Sequence, residues 1–104
     1  MNSRNKGKRG ELLLAEYLRE HGYSARRGQQ YSGIGGADVV GLPGVHIECK
    51  WVERESVRKW VEQSKRDAQP GEMPVVFHKV SRGEWLATLP AEEFLKVYQN
   101  ANIR

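Results

Sequence analysis

Ala37-Asp38-Val39-Val40-Gly41-Leu42-Pro43-Gly44-Val45-His46-Ile47-Glu48-Cys49-Lys50 is the stretch that decides the fold. It reads as two short strands joined by a turn at Pro43-Gly44. Val39, Val40 and Leu42 make the first strand apolar. In the second, Val45, Ile47 and Cys49 alternate with His46, Glu48 and Lys50, the period of two that gives a strand two different faces. Glu48 and Lys50 then share a face, about 6.6 Å apart along the strand. Asp38, on the neighbouring strand, can reach the same spot.

On an exposed strand, Glu and Lys two apart are ordinarily solvated charges. Two carboxylates and an ammonium that converge on a sheet edge are costly without a ligand, and a divalent cation would offset that cost. Oxygen donors suit magnesium, which takes one or two carboxylates plus phosphate and water. A lysine beside it can hold or help deprotonate an attacking water, while the metal stabilises charge that develops on phosphorus.

Register decides whether these groups meet. Side chains on paired strands share a face only when they lie opposite or an even number of residues away. A two-residue Pro43-Gly44 loop would pair Asp38 with Cys49 and send the aspartate to the core face. Pro-Gly favours a type II turn, which matches strand twist poorly in two-residue hairpins. A wider loop that includes Gly41 or Leu42, or a bulge, is therefore expected, with Asp38 opposite Glu48.

The chain has 104 residues, enough for one domain with one modest core, and residues 1–8 read as a basic arm. A net charge of +4 and a pI of about 9.4 favour an acidic partner. The single Cys49 excludes an internal disulfide framework and fits a reducing compartment. Its place on the apolar face marks it as a buried thiol. No apolar run reaches membrane-span length and no signal-peptide core opens the chain, so a soluble, intracellular, cytoplasmic protein is expected.

Arg4, Lys6, Lys8 and Arg9 lie close together near the start and can touch phosphates. A helix is expected from Lys6 to His21, with Leu13, Leu14, Tyr17 and Leu18 as its apolar stripe, Gly22 after its end, and Glu11 in its first turns. Tyr23–Gly28 reads as a strand with Tyr23 and Ala25 inward, closed by Arg26 and Arg27. Gln29–Gly36 is a glycine-rich loop in which Ser32 can hydrogen-bond a phosphate; no Gly-Lys-Ser/Thr follows, so it is not a P-loop. A second helix, Ser56–Ala68, has Ser56 as N-cap and Val57, Trp60, Val61, Ser64 and Ala68 on one face. Residues 70–74 read as a loop. Val75–Val80 and Glu84–Leu89 form a hairpin, and Pro90 starts a last helix, Pro90–Gln99, with Phe94, Leu95, Val97 and Tyr98. His46 and His78 read as strand residues with local partners rather than ligands.

The ordered set is Arg9-Gly10-Glu11 on the first helix, Gly22-Tyr23, Arg27 before Ser32-Gly33, Asp38, and Glu48-Cys49-Lys50. It resembles the PD-(D/E)xK nuclease superfamily and, within it, the archaeal-type Holliday-junction resolvases and their phage relatives, over about residues 4 to 90. The resemblance implies an α/β fold, a central mixed five-stranded sheet flanked by helices in the order α-β-β-β-α-β-β-α, restriction-endonuclease-like. It implies that Asp38 and Glu48 bind Mg2+, with Mn2+ as substitute, helped by the Cys49 backbone carbonyl and by Glu11. Lys50 would activate the water, and Ser32 and Arg27 would engage phosphate. Ala37 stands where the superfamily usually has proline, a position with no chemical role. The Arg-to-Ser spacing is one residue longer than usual, so Arg26 can take the role given to Arg27.

The function this implies is a metal-dependent endonuclease that resolves four-way DNA junctions. Two symmetric cuts ask for a twofold homodimer, for which Trp51 and Trp60 are candidate interface residues, with core packing the alternative for Trp60. A nicking or repair nuclease on flaps or duplex, and a non-catalytic nucleic-acid-binding module with a vestigial nuclease fold, are the alternatives.

Overall fold

The computed structural model describes residues 3–28 and 36–101. The elements run α1 (Ser3–Glu20), β1 (Arg26–Arg27), β2 (Val39–Val40), β3 (Val45–Trp51), α2 (Val57–Asp67), β4 (Met73–Lys79), β5 (Leu86–Thr88) and α3 (Ala91–Ala101). The five strands form one mixed sheet in the order β1-β2-β3-β4-β5, with β3 and β4 parallel and every other pair antiparallel. This is the α/β architecture that the family resemblance implies. No described helix is long and apolar enough to cross a membrane.

The two faces of β3 are covered by different helices. On one face Ile47 packs in a cluster with Leu14, Ala15 and Leu18 of α1, Ala25 and Val39, and Val45, Cys49 and Phe77 adjoin it. On the other, α2 lies over β3 and β4. Its Trp60 is 8 % exposed, with its ring 5.3 Å from that of His78. Parallel pairing sets Glu48 beside Val76 and Lys50 beside His78, and on the polar face of β3 His46 and Glu48 are buried under α2 rather than open to solvent. Trp60 therefore belongs to the core, which corrects its candidacy for an interface.

Several boundaries differ from expectation. Helix α1 reaches back to Ser3, so residues 3–8 are helical rather than a free basic arm, and Glu11 sits in the third turn. The helix ends in a Schellman pattern: the Tyr23 N–H donates to Leu18 O at 3.1 Å and the Gly22 N–H to Arg19 O at 3.0 Å. That exit turns Tyr23 outward, 50 % exposed, and only Arg26–Arg27 pair as strand. Ser56 precedes α2 but makes no side-chain cap bond. Strand β4 starts at Met73 and takes in Pro74, opposite His46. β5 is limited to Leu86–Thr88. In α3, Pro90 stands just before the helix, and its carbonyl accepts the N–H bonds of Glu93 and Phe94.

The β2–β3 register is set by Val39 opposite Ile47. Carried one residue on, Asp38 lies opposite Glu48; carried the other way, Leu42, Pro43 and Gly44 remain as a three-residue loop. The Val45 N–H donates to Leu42 O at 3.0 Å and Gly44 has φ +82°, the type II geometry in which glycine suits the third position. On the outer side of β2, the Gly28 N–H donates to Asp38 O at 2.9 Å. A Cβ on Gly28 would stand 2.0 Å from the Ala37 carbonyl oxygen. Gly28→Ala must therefore push the Asp38 backbone away. The expected outcome is destabilisation by about 1–3 kcal/mol, measured by denaturant unfolding, whereas alanine at Gly7, which meets nothing within 4 Å, should leave stability unchanged or raise it.

Candidate nuclease active site

Strand β2 is short and β3 is long. Beyond the Asp38–Glu48 position no described strand covers that edge of β3, and Cys49, Lys50 and Trp51 run past it. Asp38 caps the opening: its backbone N–H donates to Ile47 O at 2.9 Å, and its Oδ2 accepts the Cys49 N–H at 2.9 Å. The carboxylate thus takes the place of the next carbonyl in the ladder. A cleft of about 300 Å3 opens here, lined by Gly7 and Glu11 of α1, Asp38, Cys49, Lys50, Trp51, Val52, and Gln63 of α2.

Glu48 lies behind this cleft, 2 % exposed. Its Oε1 meets His46 Nε2 at 2.8 Å, and Asp38 approaches it within hydrogen-bonding range. Burial raises the Glu48 pKa above the ordinary carboxylate value; the His46 contact opposes this and the Asp38 charge adds to it. His46 is raised as well, first by its bond to Glu48. Glu11 is raised chiefly by burial, which outweighs the Arg27 bond that pulls it down, and it interacts through charge with Asp38 and Lys50. Cys49 is raised strongly by burial, so its thiol is inert, as its apolar-face position predicts.

Arg27 and Arg26 separate by strand alternation. Arg27 donates Nε–H to Glu11 Oε1 at 2.8 Å and stands on the cleft side. Arg26 lines a different hollow, with Val40 and Leu42. Arg9 holds its guanidinium 5.6 Å from the Trp51 ring centroid, and Lys8 is exposed nearby on α1. The Arg4 and Lys6 side chains, and all of Ser32, lie outside the described residues.

Three contributors escape the sequence pattern. Gln63 reaches the cleft from the helical face next to the Trp60–Ser64 stripe. Asp67 brings a carboxylate oxygen into a group with His46 and Glu48 whose ligand atoms lie within 4.8 Å of one another. Glu72 adds Oε1 at 3.8 Å from His46 Nδ1. The only sequence signal for Asp67 and Glu72 is their place around the α2–β4 connection, beside the start of β3 in any right-handed crossover.

Hard oxygen donors, at least one of them buried at an energetic cost, fit a divalent cation of the magnesium type. The family model described as "Phage putative PDDEXK endonuclease" matches residues 2–104. The chain belongs to that PDDEXK endonuclease family. No curated protein matches the chain. Among solved structures, the Holliday junction resolvase Hjc of Archaeoglobus fulgidus, an archaeal hyperthermophile, is similar with a TM-score of 0.60. The two are 28 % identical over 81 % of this chain and 72 % of the resolvase.

The raised Glu48 pKa has a stability consequence with a definite sign. The folded state binds the Glu48 proton more tightly than the unfolded state, so the metal-free protein gains stability as pH falls from neutral toward the ordinary carboxylate range. His46, also raised, acts in the same direction. Burial being the largest cause, Glu48→Gln should raise the melting temperature of the metal-free protein at neutral pH, at about 4–8 °C per kcal/mol, and flatten its pH dependence. It should also abolish the stabilisation that added Mg2+ or Mn2+ gives the wild type. Thermal melts with and without cation check both.

Proposed function

We propose that the protein is a Mg2+-dependent endonuclease, with Mn2+ as substitute, that resolves four-way DNA junctions by paired phosphodiester hydrolysis inside the cell. One observation carries the reading: Glu11, Asp38 and Lys50 line one cleft, with Glu48 opposite Asp38 in the strand register, on a fold shared with a junction resolvase. A binding module without catalysis has no use for a buried carboxylate, Glu48, set opposite a second one, Asp38.

Asp38 and Glu48 hold the cation, with the Cys49 carbonyl and Glu11 as further oxygen donors. When bound, the cation supplies Lewis-acid stabilisation of the charge that builds on the phosphate oxygens. Lys50 holds and orients the attacking water in the cleft. Arg27, steadied by Glu11, offers its remaining N–H groups to the phosphate, and Ser32 engages a neighbouring one. The water oxygen gives up a proton to solvent as it bonds to phosphorus, the bond to the 3′ oxygen breaks, and the 3′ oxygen leaves with the electron pair and takes up a proton from solvent. The products carry 5′-phosphate and 3′-hydroxyl ends. Lys8 and Arg9, with Arg4 and Lys6 before them on α1, continue the phosphate contacts, so binding is salt-sensitive and reads backbone shape more than base edges.

Two cuts on one junction call for two copies of the chain. Phe94, Leu95, Val97 and Tyr98 of α3 are all exposed, 38–55 %, and none of the α3 side chains is buried. This stripe supports α3 as the homodimer surface. A nuclease acting on flaps or plain duplex is the second reading, because the matching family is described as an endonuclease with no substrate named.

Cleavage of a synthetic four-way junction, compared with flap and linear duplex, tests the function. The expected result is symmetric nicking of the junction with Mg2+, and none with EDTA. Asp38→Asn and Glu48→Gln should each lose at least ~100-fold in rate, on the scale of removing key catalytic electrostatics, while still binding junction in gel shifts. Wild-type rates in either variant would sink the metal assignment. Leu95→Glu should shift the mass measured by light scattering from dimer to monomer and remove the coupling between the two cuts; a wild-type monomer on the junction would rule out paired resolution.

A further inference from the structure

Glu48 lies behind the cleft, and the hydrogen bond at its Oε1 comes from His46, a residue that does not line the cleft either. His46 and Glu48 stand two apart on one face of β3, and are 1 % and 2 % exposed. His46 Nε2 meets Glu48 Oε1 at 2.8 Å. The other end of the imidazole faces negative charge: Nδ1 lies 3.8 Å from Glu72 Oε1, an ion-pair distance longer than a hydrogen bond, and Asp67 closes the group from the last turn of α2. Solvent has no access to the pair, so a rotated Glu48 could not replace this bond with one to water.

We propose that His46 is the positioning residue for Glu48: its Nε2–H fixes Oε1, so that the second oxygen is presented toward Asp38 and the cation. The inference rests on the metal-dependent reading above. Donation of the second ring N–H to a carboxylate is how a histidine is commonly oriented in metal centres; here the order is shifted by one, with the histidine behind a ligating carboxylate and acidic groups behind the histidine. Asp67 and Glu72 select the ring orientation that keeps Nε2 on Glu48. The sequence consequence is a four-residue unit, His46 to Glu48 with Asp67 and Glu72, in which α2 and its exit loop set the geometry of a β3 side chain.

Two amides separate this role from simple core filling. His46→Gln carries its N–H2 group to the place of Nε2, within reach of Glu48. His46→Asn carries it only to the place of Nδ1, toward Glu72. Glutamine is close to histidine in size; asparagine is one methylene shorter, and the packing it loses is read separately, in the thermal melts. The readout is cation binding by calorimetry with Mg2+ and with Mn2+, in the absence of DNA, with folding checked by thermal melts and junction binding checked in EDTA.

The expected result is one cation per chain in the wild type, binding weakened roughly 10–100-fold in His46→Asn, and recovery to within about threefold in His46→Gln by the same restored contact. Junction binding in EDTA should not change. Equal binding in all three proteins, or equal loss in both variants, would overturn the proposal. A second cation in the wild type that disappears in both variants would also overturn it, by making His46 a ligand. A wild type that binds no cation fails at the earlier step, and that failure is visible before any variant is made.

Discussion

The structure depends on how Asp38 is held. Three hydrogen bonds at 2.9 Å converge on it: its N–H to Ile47 O, its carbonyl from Gly28 N–H, and its Oδ2 from Cys49 N–H. The first two continue the ladder on either side of β2, and the third ends it. A side chain that serves as a strand terminator has little freedom left, and it lies opposite Glu48 because the register admits nothing else. A shift by one residue would send Val39 out of the core and Asp38 into it, so the apolar cluster of Leu14, Leu18, Val39 and Ile47 and the acidic site specify the same pairing. Packing and chemistry agree on one answer here, which is what keeps a costly carboxylate pair in place.

Much of the fold was legible in the sequence because the period of β3 is clean and the turn before it has definite chemistry. Alternation of Val45, Ile47 and Cys49 against His46, Glu48 and Lys50, with Pro43-Gly44 ahead of them, carries both the strand and its register. The stripe of Leu13, Leu14, Tyr17 and Leu18 carries α1. What escaped is non-local. Both faces of β3 are buried, since a parallel partner and α2 cover the side that polar residues would leave open in a simple hairpin. Periodicity within β3 is silent about that, and so about the burial of His46. Nor does local sequence carry Asp67 or Glu72, whose roles come from the crossover. Tyr23 misleads because an aromatic residue before a strand reads as inward, whereas the Schellman exit of α1 points it to solvent.

The site has an uneven electrostatic layout. The cleft itself mixes signs: Glu11 and Asp38 face Lys50, and Arg27 is tied to Glu11. Behind it, Glu48, Asp67 and Glu72 surround His46. The acidic density is thus concentrated away from the surface on which a polyanion would lie, while Lys8 and Arg9 stand at that surface. A phosphate backbone can approach the mouth without meeting the full repulsion of the carboxylates behind it, of which Glu48 is buried and all of which act at short range.

The parallel β3–β4 pair has a consequence for how the molecule is made. Val45 pairs with Met73, so the central contact of the sheet joins residues 28 apart in sequence (73 − 45), with α2 formed between them. Such closures are slow relative to local hairpins. Glu11, Arg27, Asp38, Glu48 and Lys50 all precede residue 51, yet β3 has its second neighbour, and Glu48 its cover and its anchored histidine, only once β4 has docked. A nascent chain halted inside α2 would carry these five side chains without the scaffold that aligns them. Alignment of the side chains on β3 therefore waits on a contact made late in the chain.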